Sequence, residues 1–345
     1  MRWLLLVAVT LGLIGGAAES AASQECRSGV ILSVKTAKVV RGLHLRVNSV
    51  VADGHGGWFV ANSRLKHLLR EGSVDGTWRS PVRRSLAYAQ RFADGMLTRH
   101  GDRLYVAGRR RVVAVDAGTG RVLWLSPAIA GPTVAGRRAT ITAIAVGGRA
   151  VYLGGTFTSL GGARRIGLAA VDVYTGRLLP WRAPPVRGVA LLALSSSRLY
   201  FSGSSGVGAV RVSDGRTASF VPHSRIRNPL MLAVWGRFVL VGCSARWSVC
   251  DGDSGVFDGR TGKPVHKFGF DQVLSAGAVG LAGSIAYLGA GPEGGFGGSH
   301  QLIAIDLRTG KYEPWFPKVG YYAYAMSMAV SGDRVFVAGS FCPGP

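Results

Sequence analysis

A unit of roughly 47 residues recurs along this chain, and a repeat of that length restricts the fold more than any other feature. Each copy carries a short apolar strand, a Gly/Asp/Ser turn, and a second strand with an aromatic or β-branched anchor that ends in Gly. The second strand reads Gly57-Trp58-Phe59-Val60 in one copy and Arg103-Leu104-Tyr105-Val106-Ala107-Gly108 in the next. With the anchors at Phe59, Tyr105, Tyr152, Tyr200, Val239, Tyr287 and Phe336, the steps are 46, 47, 48, 39, 48 and 49 residues. The second half of each copy is equally regular. Val113-Ala114-Val115-Asp116 leads through Thr119-Gly120 to Trp124, Ala169-Ala170-Val171-Asp172 through Thr175-Gly176 to Trp181, and Ala304-Ile305-Asp306 through Thr309-Gly310 to Trp315. Asp accepts hydrogen bonds from amides two or three residues on, and Gly supplies the positive φ of a tight turn. The aromatic that follows is placed to pack between neighbouring units. Weaker copies run from Val256 to Phe268 and from Val210 to Phe220, and the first, around Leu68 to Trp78, is looser still.

A sheet of this size cannot hide its own apolar faces, so the copies have to pack against one another. The spacing predicts an all-β fold: a single β-propeller of about seven four-stranded blades. The seventh copy stops just after its second strand, near Phe341, which would leave an open sheet edge. Val30-Ile31-Leu32-Ser33-Val34, turning at Lys35-Thr36-Ala37 into Lys38-Val39-Val40, has the character of the missing outer strands. The last blade is therefore expected to take two strands from each end of the chain.

The four cysteines bear on this closure. An even number in an exported chain reads as disulfides. Cys26 precedes the proposed outer strands and Cys342 follows the last inner pair, so a Cys26–Cys342 bond would restore the cut connection. Cys243 and Cys250 remain as a local pair. No CxxC spacing suggests a metal site, and Asp251-x-Asp253 lacks the rest of a calcium loop, so it reads as a turn.

Export is inferred from the N-terminus. Arg2, an apolar run from Trp3 to Ile14 and small residues from Gly15 to Ala22 read as a signal peptide over 1–22, leaving a propeller over 23–345. The apolar run is too short for a comfortable membrane span. Hydrophobic residues make up 48% of the chain, enough for a large core, while the formal net charge is +23. That surplus directs attention to acidic partners. Nucleic acid is disfavoured because export removes the usual targets.

The segments Val113 to Trp124 and Ala169 to Trp181 resemble PQQ-like repeats, the blades of quinoprotein-type propellers. The Gly-Thr-Phe-Thr-Ser-Leu-Gly-Gly stretch at 155–162 is similar to repeats of exported bacterial propeller proteins. The resemblance implies blade packing. Quinoprotein dehydrogenases would further imply a quinone cofactor over a vicinal disulfide, but this chain has no adjacent cysteines and is far shorter, so no cofactor is carried over.

Strand order in an antiparallel blade places the first-to-second and third-to-fourth turns on one face of the ring. The second-to-third loops and blade links fall on the other. The turn face would hold the regular Asp residues balanced by Arg. The loop face would hold the irregular segments 155–167, 244–255 and 290–299, and function favours such loops over a rigid scaffold. It also collects Arg109, Arg110, Arg111, Arg164, Arg165 and Arg246, with Trp247, Tyr321 and Tyr322 nearby. Guanidinium forks suit carboxylates and phosphates, and aromatic faces suit sugar rings. The expectation is an exported, non-enzymatic binding or scaffolding module for an anionic glycan, lipid headgroup or protein of the cell envelope. A solvated arginine surface is the plain alternative. The other functional class is an oxidoreductase or lyase with its site at the channel mouth, which would need convergent polar groups there, with Asp271, Glu293, Glu313 and His300 as candidates. The inner strands at 141–146, 189–194 and 230–234 are instead mainly apolar, and no nucleophile-elbow or phosphate-loop motif occurs.

Overall fold

Seven antiparallel sheets stand side by side and close into a ring. The computed structural model describes residues 26–45, 47–62, 64–82, 96–132, 138–203, 206–220, 226, 229–242, 254–268, 276–290, 302–320 and 322–342. Among these residues there is no helix. From the axis outward, blade one holds Ser49–Ala52, Trp58–Ala61 and Leu65–Leu68. Blade two holds Leu97–His100, Arg103–Ala107, Val112–Asp116 and Val122–Leu125. Blade three holds Ile141–Gly147, Ala150–Gly155 and Leu168–Asp172, and blade four Leu191–Leu194, Arg198–Gly203 and Gly206–Arg211. Blade five is Met231–Trp235, Phe238–Gly242, Gly255–Asp258 and Pro264–Lys267. Blade six is Ala276–Ala282, Ile285–Ala290, Leu302–Asp306 and Tyr312–Glu313.

Blade seven closes the ring as the repeat requires. Its order from the axis is Tyr322–Ser331, Arg334–Cys342, Arg27–Ser33 and Val39–Leu43, two strands from each end of the chain. Ile31 faces Phe336 and Val30 faces Val337 across the junction of the two ends. The Cys26–Cys342 disulfide is present and joins residues 316 positions apart. Cys243 and Cys250 lie outside the described residues.

The core is divided among the blade interfaces. Each of seven apolar clusters is shared by two neighbouring blades, including one in which Ile31, Phe336 and Ala338 of blade seven meet Val50, Trp58 and Val60 of blade one. Burial of apolar area thus rewards blade-to-blade packing all the way round.

The repeated aromatics add a directional link. Trp78 Nε1 donates to the Ala117 carbonyl of the next blade at 2.7 Å, Trp124 to Val173 at 3.1 Å, Trp181 to Arg211 at 3.2 Å, and Trp315 to Ser33 at 3.0 Å. Each acceptor lies at or beside the third-to-fourth turn of the next blade, or at the equivalent place in blade seven. Indole N–H groups have to find such acceptors when buried.

Three blades depart from the four-stranded expectation. In blades one, three and four the fourth strand is reduced to a single bridge, Leu68 to Val74, Val171 to Leu178 and Val210 to Thr217. In blade three the cause is local: Pro180 follows Leu179 and has no N–H to extend the ladder.

The turn aspartates do the work expected of them. The amide and hydroxyl of Thr119 each donate to Asp116 Oδ1 at 2.7 Å, and Thr175 and Thr261 repeat the arrangement on Asp172 and Asp258. The Thr119 hydroxyl and amide hold Asp116 below the ordinary carboxylate range. On Asp172 and Asp258 burial pushes the other way, and the donated amides and hydroxyls outweigh it. The Arg308 guanidinium brings Asp306 down to about 2, against some burial. A carboxylate held low in the folded state stabilises the fold above its unfolded value and loses that contribution as pH falls through the folded value. Stability is therefore expected to decline as pH drops from about 4 toward about 2. Thermal unfolding followed across that range checks this, and Asp306→Asn should flatten the lower part of the decline.

Candidate functional site

The loop face is organised by a small sheet that belongs to no blade. Ile129–Ala130, in the link from blade two to blade three, pairs with Ser159–Leu160, which turns back into Ala163–Arg164. The segment 155–167, expected as an irregular loop, is thus an ordered hairpin. Gly161 and Gly162 form its two-residue turn at φ of 57° and 82°, a left-handed pair that Gly adopts without steric cost. Phe157 and Leu160 are fully buried beneath it in the core shared by blades two and three. The signal was present in the sequence as Gly-Gly between Leu160 and Ala163, but strands of two residues show no periodicity.

The Arg109 to Arg111 loop of blade two is laced to the same sheet. Arg110 N–H and carbonyl groups both engage Ile129: its Nε donates to the Ile129 carbonyl at 3.1 Å, and its own carbonyl accepts from the Ile129 amide at 2.9 Å. Arg111 donates to the Ser126 carbonyl at 2.7 Å, and the Arg109 carbonyl accepts from the Ile141 amide. All three side chains are exposed, as is Arg164 on the hairpin. Arg109, Arg110, Arg111 and Arg164 therefore share one platform spanning blades two and three. For Arg110 and Arg111 the hydrogen-bond acceptors are neutral carbonyls, so their charge is left uncompensated by those bonds.

Arg165 has a different position from the one expected. It is only 7% exposed, under the platform and out of reach of a surface ligand. Its guanidinium donates to the Arg164 carbonyl at 2.9 Å and the Leu179 carbonyl at 3.2 Å, while Nε is buried with no hydrogen-bond partner. Burial, with a smaller contribution from nearby Arg182, lowers its pKa from the usual guanidinium value. It ties the hairpin to the outer strand of blade three. Arg246, Trp247 and Tyr321 lie outside the described residues, as does the side chain of Tyr322, whose backbone forms the start of the inner strand of blade seven. Among the channel-mouth candidates, Asp271, Glu293 and His300 also lie outside them. Glu313 sits on the outermost strand of blade six, away from the axis.

One cluster escaped sequence reasoning. On the turn face of blade one, His67 Nδ1 lies 2.9 Å from Asp75 Oδ2 and Nε2 lies 3.0 Å from Asp53 Oδ2. The His67 ring stacks on Phe59 with centroids 4.7 Å apart. Both carboxylates have further occupants: Asp53 accepts from the amides of His55 and Gly57, and Asp75 from the amide and hydroxyl of Thr77. Burial works against ionisation of Asp53, and the donors from His67, His55 and Gly57 outweigh it. The cluster is a clamp that fastens blade one where the Asp-x-x-Thr-Gly turn is missing. Its members are scattered over 23 positions of an irregular copy, so no spacing rule exposes it.

Comparison with known proteins agrees with this architecture. A family profile described as outer membrane protein assembly factor BamB matches residues 69–219, from the end of blade one through blade four. No curated protein matches the chain. Among solved structures, the computationally designed Ika8 protein is similar with a TM-score of 0.59 and 13% identity, covering 88% of this chain and 86% of that one. Hydrazine synthase of Kuenenia stuttgartiensis has a TM-score of 0.51 and 14% identity over 85% of this chain and 93% of that one. BamB from Moraxella catarrhalis follows at 0.48 and 15%, covering 93% and 92%. At these identities the likeness to the designed protein and to hydrazine synthase concerns the fold, and with the repeat and the closed ring the chain is a β-propeller, matched by a PQQ-like repeat profile over residues 69–219.

Proposed function

We propose that this protein is an exported, non-enzymatic binding or scaffolding propeller whose loop face receives an anionic partner of the cell envelope, such as an acidic glycan, a lipid headgroup or an acidic protein. The observation that carries the proposal is the arrangement of Arg109, Arg110, Arg111 and Arg164. Four exposed guanidinium groups are held on one ordered platform, and the hydrogen bonds of Arg110 and Arg111 go to neutral carbonyls. The turn face is arranged differently, with Asp172, Asp214 and Asp306 paired to Arg149, Arg211 and Arg308. Pre-ordered guanidinium forks lose little entropy on meeting a carboxylate or phosphate. A net charge of +23 would draw such partners in from a distance. The Cys26–Cys342 disulfide fits an oxidising compartment, and the profile match to an outer membrane assembly factor fits the same setting.

The test is charge reversal that spares the buried Arg165. An Arg109→Glu, Arg110→Glu, Arg164→Glu variant should bind an immobilised acidic polysaccharide about tenfold more weakly than the parent, a loss of about 1.4 kcal/mol. It should also elute at lower salt. Equal retention of parent and variant would refute the proposal.

A further inference from the structure

The repeats serve as internal controls for one another, and blade four breaks their pattern at one place. In blades two, three, five and six the residue that closes the third strand is an aspartate: Arg103 pairs with Asp116, Ala150 with Asp172, Phe238 with Asp258 and Ile285 with Asp306. The same register position in blade four is Arg211, opposite Arg198. The first-to-second turn departs as well. Blades two, three, five, six and seven use a left-handed Gly at 101, 148, 236, 283 and 332. Blade four reads Ser195-Ser196-Ser197 there, with no residue of positive φ.

Both altered turns open onto one cleft of about 490 Å³ on the turn face. Its walls include Ser196, Ser197, Arg198, Arg211, Ser213 and Ser219. Five hydroxyl-bearing residues and two arginines share the lining with Val212 and Ala218, and its surface is polar and apolar in equal measure. Arg211 is oriented by Asp214 through contacts of 2.6 and 3.1 Å, and Arg198 is braced on the Gly259 carbonyl of the next blade at 2.8 Å. Arg216 stands 4.0 Å from the same Asp214. Two guanidinium groups thus face one carboxylate, and Arg198 adds a third cation to the wall, leaving a positive surplus beside a row of hydroxyls. The volume is that of a small-molecule site. A phosphate finds guanidinium donors, and sugar-like hydroxyls find serine partners.

We infer that blade four carries a binding site for a small polyhydroxylated phosphate ester, on the face opposite the arginine platform. The inference stands apart from the loop-face proposal, because it uses other residues and another end of the ring. In blades two, three and five the capping aspartate accepts from the Thr three residues on, and in blade six from Arg308. In blade four the exchange of Asp for Arg releases that position to face a ligand, and Asp214 takes over the turn by accepting from the Arg216 amide at 3.0 Å.

Calorimetric titration of the mature chain with glucose 6-phosphate, inorganic phosphate and glucose decides the matter. Glucose 6-phosphate should bind saturably and more tightly than inorganic phosphate, and glucose should give no heat. Arg211→Asp, which installs the residue found at this register position in four other blades, should weaken glucose 6-phosphate at least tenfold. Ser197→Ala with Ser213→Ala should weaken glucose 6-phosphate and leave inorganic phosphate unchanged. The loop-face variant carrying Glu at 109, 110 and 164 should bind as the parent does. No saturable heat with glucose 6-phosphate, parent-like binding by Arg211→Asp, or loss of binding in the loop-face variant would each overturn the inference.

Discussion

Replacing Cys26 and Cys342 together by serine is expected to lower the stability of the folded ring by about 5 kcal/mol, the largest effect of any change considered for this chain. The bond joins residues 316 positions apart, so it closes a loop that spans nearly the whole propeller. In the chain-entropy description, a cross-link over more than 100 residues removes about 5 kcal/mol of freedom from the unfolded ensemble. The strands it joins, Arg27–Ser33 and Arg334–Cys342, already pair along their length, so the folded state needs no rearrangement to accept it. Chemical denaturation of the parent with and without reductant, beside the double-serine variant, gives the measurement. The variant should show a lowered midpoint, and reductant should lower that of the parent at least as far. If all three curves coincide, the disulfide contributes nothing to the closure.

The second large effect is expected at Trp315. Its ring is 4% exposed, lies edge-on to Tyr287 at 4.8 Å between centroids, and donates its N–H to Ser33 in the N-terminal strand of blade seven. Truncation removes packing on both sides of a blade interface and one of the two hydrogen bonds to the Ser33 carbonyl, which keeps the Ala37 amide. Trp315→Ala should cost about 3–5 kcal/mol. Trp315→Phe keeps most of the apolar ring and loses the hydrogen bond, so about 1 kcal/mol should separate it from the parent, plus a small packing loss. Denaturation midpoints of the three proteins check the order. A cost for the alanine variant below that of the phenylalanine variant would show that the interface does not rest on this side chain.

These effects concern the part of the structure that local signals encode. Gly at the turns, Asp capping Thr, and an aromatic a few residues later are repeated often enough for blade number and closure to emerge from spacing. The pairing of Val30 and Ile31 with Val337 and Phe336 follows because an unfinished last copy and an unassigned first segment need each other. The site was less legible. The hairpin Ser159–Leu160 to Ala163–Arg164 is too short for any periodic pattern, and its partner Ile129–Ala130 lies in a link between blades. Arg164 and Arg165 are adjacent and chemically alike, yet one is exposed at the end of a two-residue strand and the other, just past it, is buried. The departure of Arg211 from the aspartate pattern was visible in the sequence. Its meaning required the register, which shows that it occupies the same place as Asp116, Asp172, Asp258 and Asp306.

Because the final sheet draws on both chain ends, its outer pair, Arg27–Ser33 and Val39–Leu43, is made first and has to wait for its inner pair until Tyr322–Ser331 and Arg334–Cys342 emerge. Until then the growing polypeptide is an open arc with a bare strand at each tip, the kind of edge that recruits foreign strands. A chain delivered across a membrane end to end would meet this hazard on the far side, where the oxidant that seals Cys26 to Cys342 is also at hand. Truncation by even the last ten residues would then leave a permanently unfinished arc.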